Sequence, residues 1–220
     1  MSPPMAADDA GSVARILKEG LKALGVDLDD ERRDTLVRFV ALLRKWNRVH
    51  NLTTIDQPGD IVTRHLLDSL SVLPFLHGAR IVDIGSGAGF PGLPLALARP
   101  ESRFTLVDSR EKRARFLQQA VAELGLGNVE VVADRAEHYA PAAGFDTVIT
   151  RAFGSIADFT RCAGHLRAPT GVLLAMKGTY PAEELAEAHG PYLAKVVALR
   201  VPMLAAERHL VILSAAQPEE

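Results

Sequence analysis

The chain has 220 residues, 48% hydrophobic and 24% charged, and its 25 basic and 27 acidic side chains leave a net charge of −2. That make-up fits one sizeable globular domain with an appended segment and excludes disordered, collagen-like and membrane-spanning classes, since no apolar run reaches the roughly 18 residues of a membrane helix. A single cysteine, Cys162, excludes an internal disulfide and a thiolate metal cluster, and near-neutral charge means that any nucleic-acid surface must be local. The opening MSPPMAADDAGS lacks the basic flank and apolar stretch of a secretory signal, so a cytoplasmic protein is expected.

In chain order, residues 1–10 read as a loose, disordered end. Residues 11–77 carry helical patterns: Val13, Ile16, Leu17, Leu21 and Leu24 recur at three and four residue spacing, and Gly25 offers a stop. A longer helix starts from Asp29 or Asp30 as N-cap, with Leu36, Phe39, Val40, Leu43 and Trp46 on its core face. The run DIVTRHLLDSLSVLPFL gives a third, shorter helix ended by Pro74. From about Gly78 to 214 short β-rich runs alternate with helical patterns, at 80–84, 103–108, 129–133, 145–150 and 171–177, which predicts five parallel strands joined by four helical connections. The last two runs, AKVVALRVP and RHLVILSA, are too close for a crossover helix and should pair antiparallel, before a tail at 215–220. The expected fold is therefore α/β: a Rossmann-like sheet of five parallel strands plus a C-terminal antiparallel pair, with an N-terminal helical extension.

The first strand runs into RIVDIGSGAGFPG, where four of the eight positions from Gly85 to Gly92 are glycine. Glycines between a strand and a helix let a ligand approach bare backbone, and without a ligand that many would only cost conformational entropy. Two registers overlap. Gly87, Gly89 and Gly92 match the dinucleotide pattern G-x-G-x-x-G, whereas Asp83, Gly85, Gly87 and Gly89 match the D-x-G-x-G-x-G of S-adenosylmethionine methyltransferases. Counted from Gly85, the third dinucleotide glycine falls on Phe90, a bulky ring where close helix packing wants none, and this favours the adenosylmethionine register. Asp108, about 20 residues on at the end of the second strand, suits ribose hydroxyls in either class. The loop after the third strand, with Asp134, Ala136 and Glu137, is placed to border an adenine ring, and Asp134 alone reads equally well as a solvated charge.

In such a fold the loop after the fourth strand faces the transferred methyl, and here it reads TRAFG. It holds neither the Asn/Asp-Pro-Pro-aromatic stretch of exocyclic amine methylases nor the cysteine nucleophile of pyrimidine C5 methylases. An acceptor with its own in-plane lone pair, such as guanine N7, needs no base, so positioning suffices. Arg151, an orienting catalytic candidate, suits a methionine carboxylate, a phosphate or a guanine edge. For an RNA partner the candidates are Arg38, Arg44, Lys45 and Arg48 on the long helix, where no acidic residue interrupts, followed by Arg64 and His65. His65 and Asp68 lie three apart and read as a hydrogen-bonded pair on one helix face; Cys162 reads as a small core residue. No metal-ligand spacing occurs among the histidines.

Taken together, WNRVHNLT, RHLLDSL, VDIGSGAGFPGLPLA, LVDSREKRARFL, NVEVVADRAE, TRAFGS and MKG, in this order over residues 35–213, resemble the bacterial 16S rRNA guanine-N7 methyltransferases, the RsmG or glucose-inhibited division protein B family. The resemblance implies an S-adenosylmethionine-dependent enzyme that methylates N7 of one guanosine in 16S rRNA or the small ribosomal subunit; from the apolar runs and histidine spacing, neither a membrane nor a metal is expected. It places cofactor contacts at Gly85, Phe90, Ala136, Glu137 and Arg151; the glycine register adds Gly87, and the strand-two reading adds Asp108. A nicotinamide-dependent oxidoreductase and a non-catalytic RNA- or adenosylmethionine-binding module are the competing readings.

Overall fold

The computed structural model describes residues 7–187 and 192–215. The loose ends expected at 1–6 and 216–220 lie outside the described residues. Residues 7–10, expected to be disordered, instead begin the first helix, α1 (Ala7–Leu24), whose first turn carries Asp8 and Asp9 against its exposed N–H groups. The second, α2 (Asp30–His50), starts where Asp29 caps it by accepting from the Arg32 N–H. It stops at Asn51, which turns left-handed at φ 49° and returns its N–H to the Asn47 carbonyl. The third pattern is one helical path with an irregular middle: α3 (Pro58–Ile61), a π-helical stretch Val62–Leu67, then α4 (Asp68–Leu70). It ends before the expected Pro74, which sits in a separate 3₁₀ turn, Leu73–Phe75.

Among the described residues seven strands follow in one sheet: β1 (Arg80–Ile84), β2 (Arg103–Val107), β3 (Val129–Val132), β4 (Phe145–Arg151), β5 (Arg167–Lys177), β6 (Tyr192–Ala198) and β7 (His209–Ala215). Their order is β3-β2-β1-β4-β5-β7-β6, parallel through β5 and antiparallel at β7 and β6, as the run lengths predicted. Three of the four expected helical connections are present: α5 (Gly92–Ala98), α6 (Glu111–Leu124) and α7 (Ile156–Ala163). The fourth, between β3 and β4, is a loop. The Arg135 carbonyl accepts from the N–H groups of His138 and Tyr139 in a single turn, and Pro141, which has no N–H, cannot extend it. A short helix, α8 (Ala182–Glu187), follows β5.

Alternation along β1 sorts its side chains between two layers. Val82 and Ile84 pack with Ile156 and Phe159 of α7 on one face, while Asp83 points toward α5 on the other. On the α5 and α6 face the N-terminal helices share a continuous core with the sheet domain, from Val13 and Leu17 through Phe39, Leu43 and Leu66 to Phe90, Phe116 and Leu117. Trp46 is half-buried against this core, its ring 5.6 Å from that of Phe116. The helical segment expected as an appendage is therefore one wall of the structure, and it stands beside the glycine loop.

Candidate active site

The C-terminal ends of β1 and β4 lie side by side where the chain reverses its direction across the sheet, the place where open α/β sheets leave a crevice. Two adjoining hollows occupy it. The larger, about 400 Å³, has Asp108, Ala136, Glu137, Phe153 and Cys162 among its walls. The smaller, about 240 Å³, is walled by Leu52, Thr53, His65, Gly87 and Phe90. Gly85, Arg113, Arg151 and Ala152 border both. A wider hollow lies between α1 and residues 198–206, and none of the candidate site residues lines it.

The four glycines divide into two pairs with different jobs. A Cβ on Gly87 would find nothing nearer than the Gly85 carbonyl at 3.7 Å, and one on Gly85 only Phe153 Cδ2 at 3.4 Å, so these two present bare backbone to open space. Gly89 and Gly92 are bare for packing instead. A Cβ on Gly89 would collide with Leu93, and one on Gly92 with Leu106 and, at 2.8 Å, with Asp83 Oδ2. The Gly92 N–H donates to Asp83 Oδ2 at 2.9 Å, so a buried carboxyl already holds the start of α5. A pyrophosphate would need that helix end free, which counts against the dinucleotide register. The other Asp83 oxygen is buried without a partner, and desolvation pushes this carboxyl up to about 7 despite the Gly92 N–H.

Asp108 follows β2 directly, with only 3% of its surface exposed. One oxygen accepts from the Gly87 N–H and the other from the Arg110 N–H, both at 2.9 Å, so the acid fixes the glycine loop and keeps lone pairs for the larger hollow. Arg113 of α6 stands 3.6 Å from the same carboxylate. Ala136 and Glu137 border the larger hollow from the β3 loop, and Cys162, read as core, does pack on the core but also lines that hollow.

Arg151 ends β4 and sits 5.2 Å above the Phe90 ring, whose neighbours are Phe39 and, stacked at 4.6 Å, His65. Its guanidinium donates to Asp68 Oδ2 and to the Arg64 carbonyl, each at 3.2 Å. Asp68 is buried and holds a second arginine through its other oxygen, Arg208 Nε at 2.9 Å. Burial pulls the Arg151 guanidinium down from its ordinary value, and Asp68 opposes that pull.

Two readings of the third helix need correction. His65 and Asp68 do not pair, because the π-helical turn sends them to different partners: Asp68 to the two arginines, His65 Nε2 to the Thr53 hydroxyl at 2.9 Å. Nor does His65 belong to a basic surface, since it is buried and burial, aided by Arg151, lowers its imidazole to about 3. Arg38, Lys45, Arg48 and Arg64 are exposed, whereas Arg44 is half-buried and pairs with Asp9 of α1 at 3.0 Å. Thr53, Arg113, Phe153 and Arg208 were not singled out by the sequence. Arg113 sits in a run of cations in which spacing favours none, and Arg208 meets Asp68 across 140 residues.

Sheet order, crevice and glycine loop define a class I methyltransferase fold. The O-methyltransferase TomG of Streptomyces achromogenes, solved in complex with SAM, shares it with a TM-score of 0.57 and 19% identity, over 96% of this chain and 99% of that one. Residues 32–211 match the family model of GidB, described as rRNA small subunit methyltransferase G. The ribosomal RNA small subunit methyltransferase G of Nitrosospira multiformis is 50% identical over 91% of this chain and 96% of its own. That of Methylobacillus flagellatus is 52% identical over 91% and 98%. The chain belongs to this family.

Proposed function

We propose that the chain is an S-adenosylmethionine-dependent methyltransferase that modifies N7 of a guanosine in small-subunit ribosomal RNA. The observation that carries the cofactor is the division of the glycine loop: Gly85 and Gly87 open onto the crevice while Asp83 closes the start of α5. That is a cradle for an adenosyl group without a pyrophosphate. Asp108 is positioned to accept from ribose hydroxyls, the backbone at Ala136 and Glu137 to meet the adenine edge, and Phe90 and Arg151 to wall the amino-acid end.

When bound, the cofactor supplies a methyl group on a cationic sulfur. Guanine N7 already owns the lone pair that would take this methyl, with the carbon–sulfur electrons passing to sulfur, so no proton would have to be removed. A general base is therefore unnecessary, and the end of β4 and the loop after it offer a cation and a ring, Arg151 and Phe153, rather than a base. The chain's contribution is to hold the acceptor in line and exclude water. Exposed Arg38, Lys45 and Arg48 on α2 and Arg64 beside the crevice supply cations for the RNA backbone. Among the described residues no helix is long and apolar enough to cross a membrane.

The test is to incubate the protein with unmodified small subunits, and separately with naked rRNA, using radiolabelled adenosylmethionine, then map the methyl by cleavage at N7-methylguanosine. A single labelled guanosine is expected. Methyl on any other atom would overturn the acceptor assignment, and near-normal transfer by Arg151→Ala would overturn that residue's role.

A further inference from the structure

The smaller hollow raises a charge question that the motif residues leave open. On the cofactor reading above, which this inference rests on, the larger hollow takes the adenosyl group by Asp108, Ala136 and Glu137. The amino-acid end is left to the smaller one. Its carboxylate finds cations there in Arg113 and Arg151. Its ammonium needs an acceptor, and among the described residues lining that hollow there is no carboxylate. Among those residues, side-chain acceptors come only from Thr53, His65 and Ser86.

Ser86 is buried, with its hydroxyl donated inward to the Asp83 carbonyl at 2.9 Å. His65 Nδ1 faces the Arg64 carbonyl at 3.0 Å, an atom that can only accept, so the proton sits on Nδ1 and Nε2 is bare. Nε2 therefore accepts from the Thr53 hydroxyl. With its proton committed to His65 and one lone pair taken by the Ile55 N–H at 3.1 Å, the Thr53 oxygen is oriented as a pure acceptor with a lone pair to spare. The Thr53 N–H is itself fixed, donating to Asn47 Oδ1 at 2.9 Å, so the turn after α2 holds this oxygen in place.

We propose that Thr53 Oγ1, oriented by His65, accepts a hydrogen bond from the α-ammonium of the cofactor, making the turn after α2 a third wall of the cofactor site. The N-terminal segment then binds cofactor as well as RNA. The substitution Thr53→Val keeps the shape and removes the oxygen; Thr53→Ser keeps the oxygen.

Titration calorimetry with S-adenosylhomocysteine and with methylthioadenosine, which has no amino-acid end, separates the possibilities. Thr53→Val is expected to weaken S-adenosylhomocysteine about tenfold, in line with a charge-assisted hydrogen bond, and to leave methylthioadenosine within about twofold of wild type. Thr53→Ser should restore S-adenosylhomocysteine affinity. Equal losses for both ligands, or no loss for S-adenosylhomocysteine, would overturn the inference and leave the cofactor reading standing. Failure of the unsubstituted protein to bind either ligand would overturn both.

Discussion

Two buried groups near the site titrate in opposite directions, and their effects on stability should cancel until one of them is removed. Desolvation raises the Asp83 carboxyl from 3.8 to about 7. Between those values the folded chain keeps a proton that the unfolded chain has released, so stability falls as pH rises. Desolvation first, then Arg151, lowers His65 from 6.5 to about 3. Between those values the unfolded chain takes up a proton that the folded chain refuses, so stability falls as pH drops. At about 1.4 kcal/mol for each pH unit of displacement, each group acts with about 4–5 kcal/mol across its window, and the two slopes oppose one another where the windows overlap. Asp83→Asn should therefore gain stability relative to the unsubstituted chain as pH rises from about 4 to 6.5, by about 1.4 kcal/mol per pH unit. His65→Gln should lose it at the same rate. Urea unfolding at closely spaced pH values measures both, and subtracting the unsubstituted curve removes what the surface carboxylates share. Two flat difference curves across that range would refute the reasoning.

The division of the glycines predicts contrasting variants. Gly87→Ala places a side chain at φ 58° in the open cradle, so S-adenosylhomocysteine affinity should drop sharply with a stability loss of about 1–2 kcal/mol. Gly92→Ala drives a methyl into Leu106 and Asp83, so calorimetry should show a comparable or larger stability loss, about 1–3 kcal/mol, with affinity changed far less. Asp68→Ala leaves Arg151 and Arg208 facing a buried gap; thermal unfolding should show a loss of about 3–5 kcal/mol, and a loss under about 1 kcal/mol would mean the guanidiniums find other partners. Reversing Lys45 and Arg48 to Glu should weaken rRNA binding and flatten its salt dependence without altering S-adenosylhomocysteine affinity. Filter binding at several salt concentrations tests this, and unchanged RNA affinity would place the RNA face elsewhere.

Much of the fold was legible because it is locally specified. The period of Val13 to Leu24, the Asp29 cap and the alternation of apolar runs with helical stretches each determine an element within a dozen residues, and the short gap before RHLVILSA determines the antiparallel pair. The missing fourth helix shows the limit of that reading. Regular alternation suggested it, but Pro141 and Gly144 left the backbone only one hydrogen-bonded turn.

The site was legible where backbone geometry demands a residue type and illegible where a side chain's partner comes from afar. Gly85 and Gly87 stand out because only glycine sits easily at φ 70° and 58° with bare backbone facing the crevice. Charge alone put Arg44 and His65 on an RNA face, yet one is held by Asp9 of another helix and the other is turned inward. The π-helical stretch is the common cause of the errors around His65 and Asp68. A regular α-helix places residues three apart on one face, which is the pairing the sequence suggests. The wider turn separates them and leaves the Arg64 carbonyl to accept from both His65 and Arg151. That one carbonyl fixes the His65 tautomer, and through it the Thr53 hydroxyl, while also restraining the guanidinium at the end of β4. The helix irregularity thus ties the N-terminal wall to the end of β4, and straightening it should disturb both walls of the smaller hollow together.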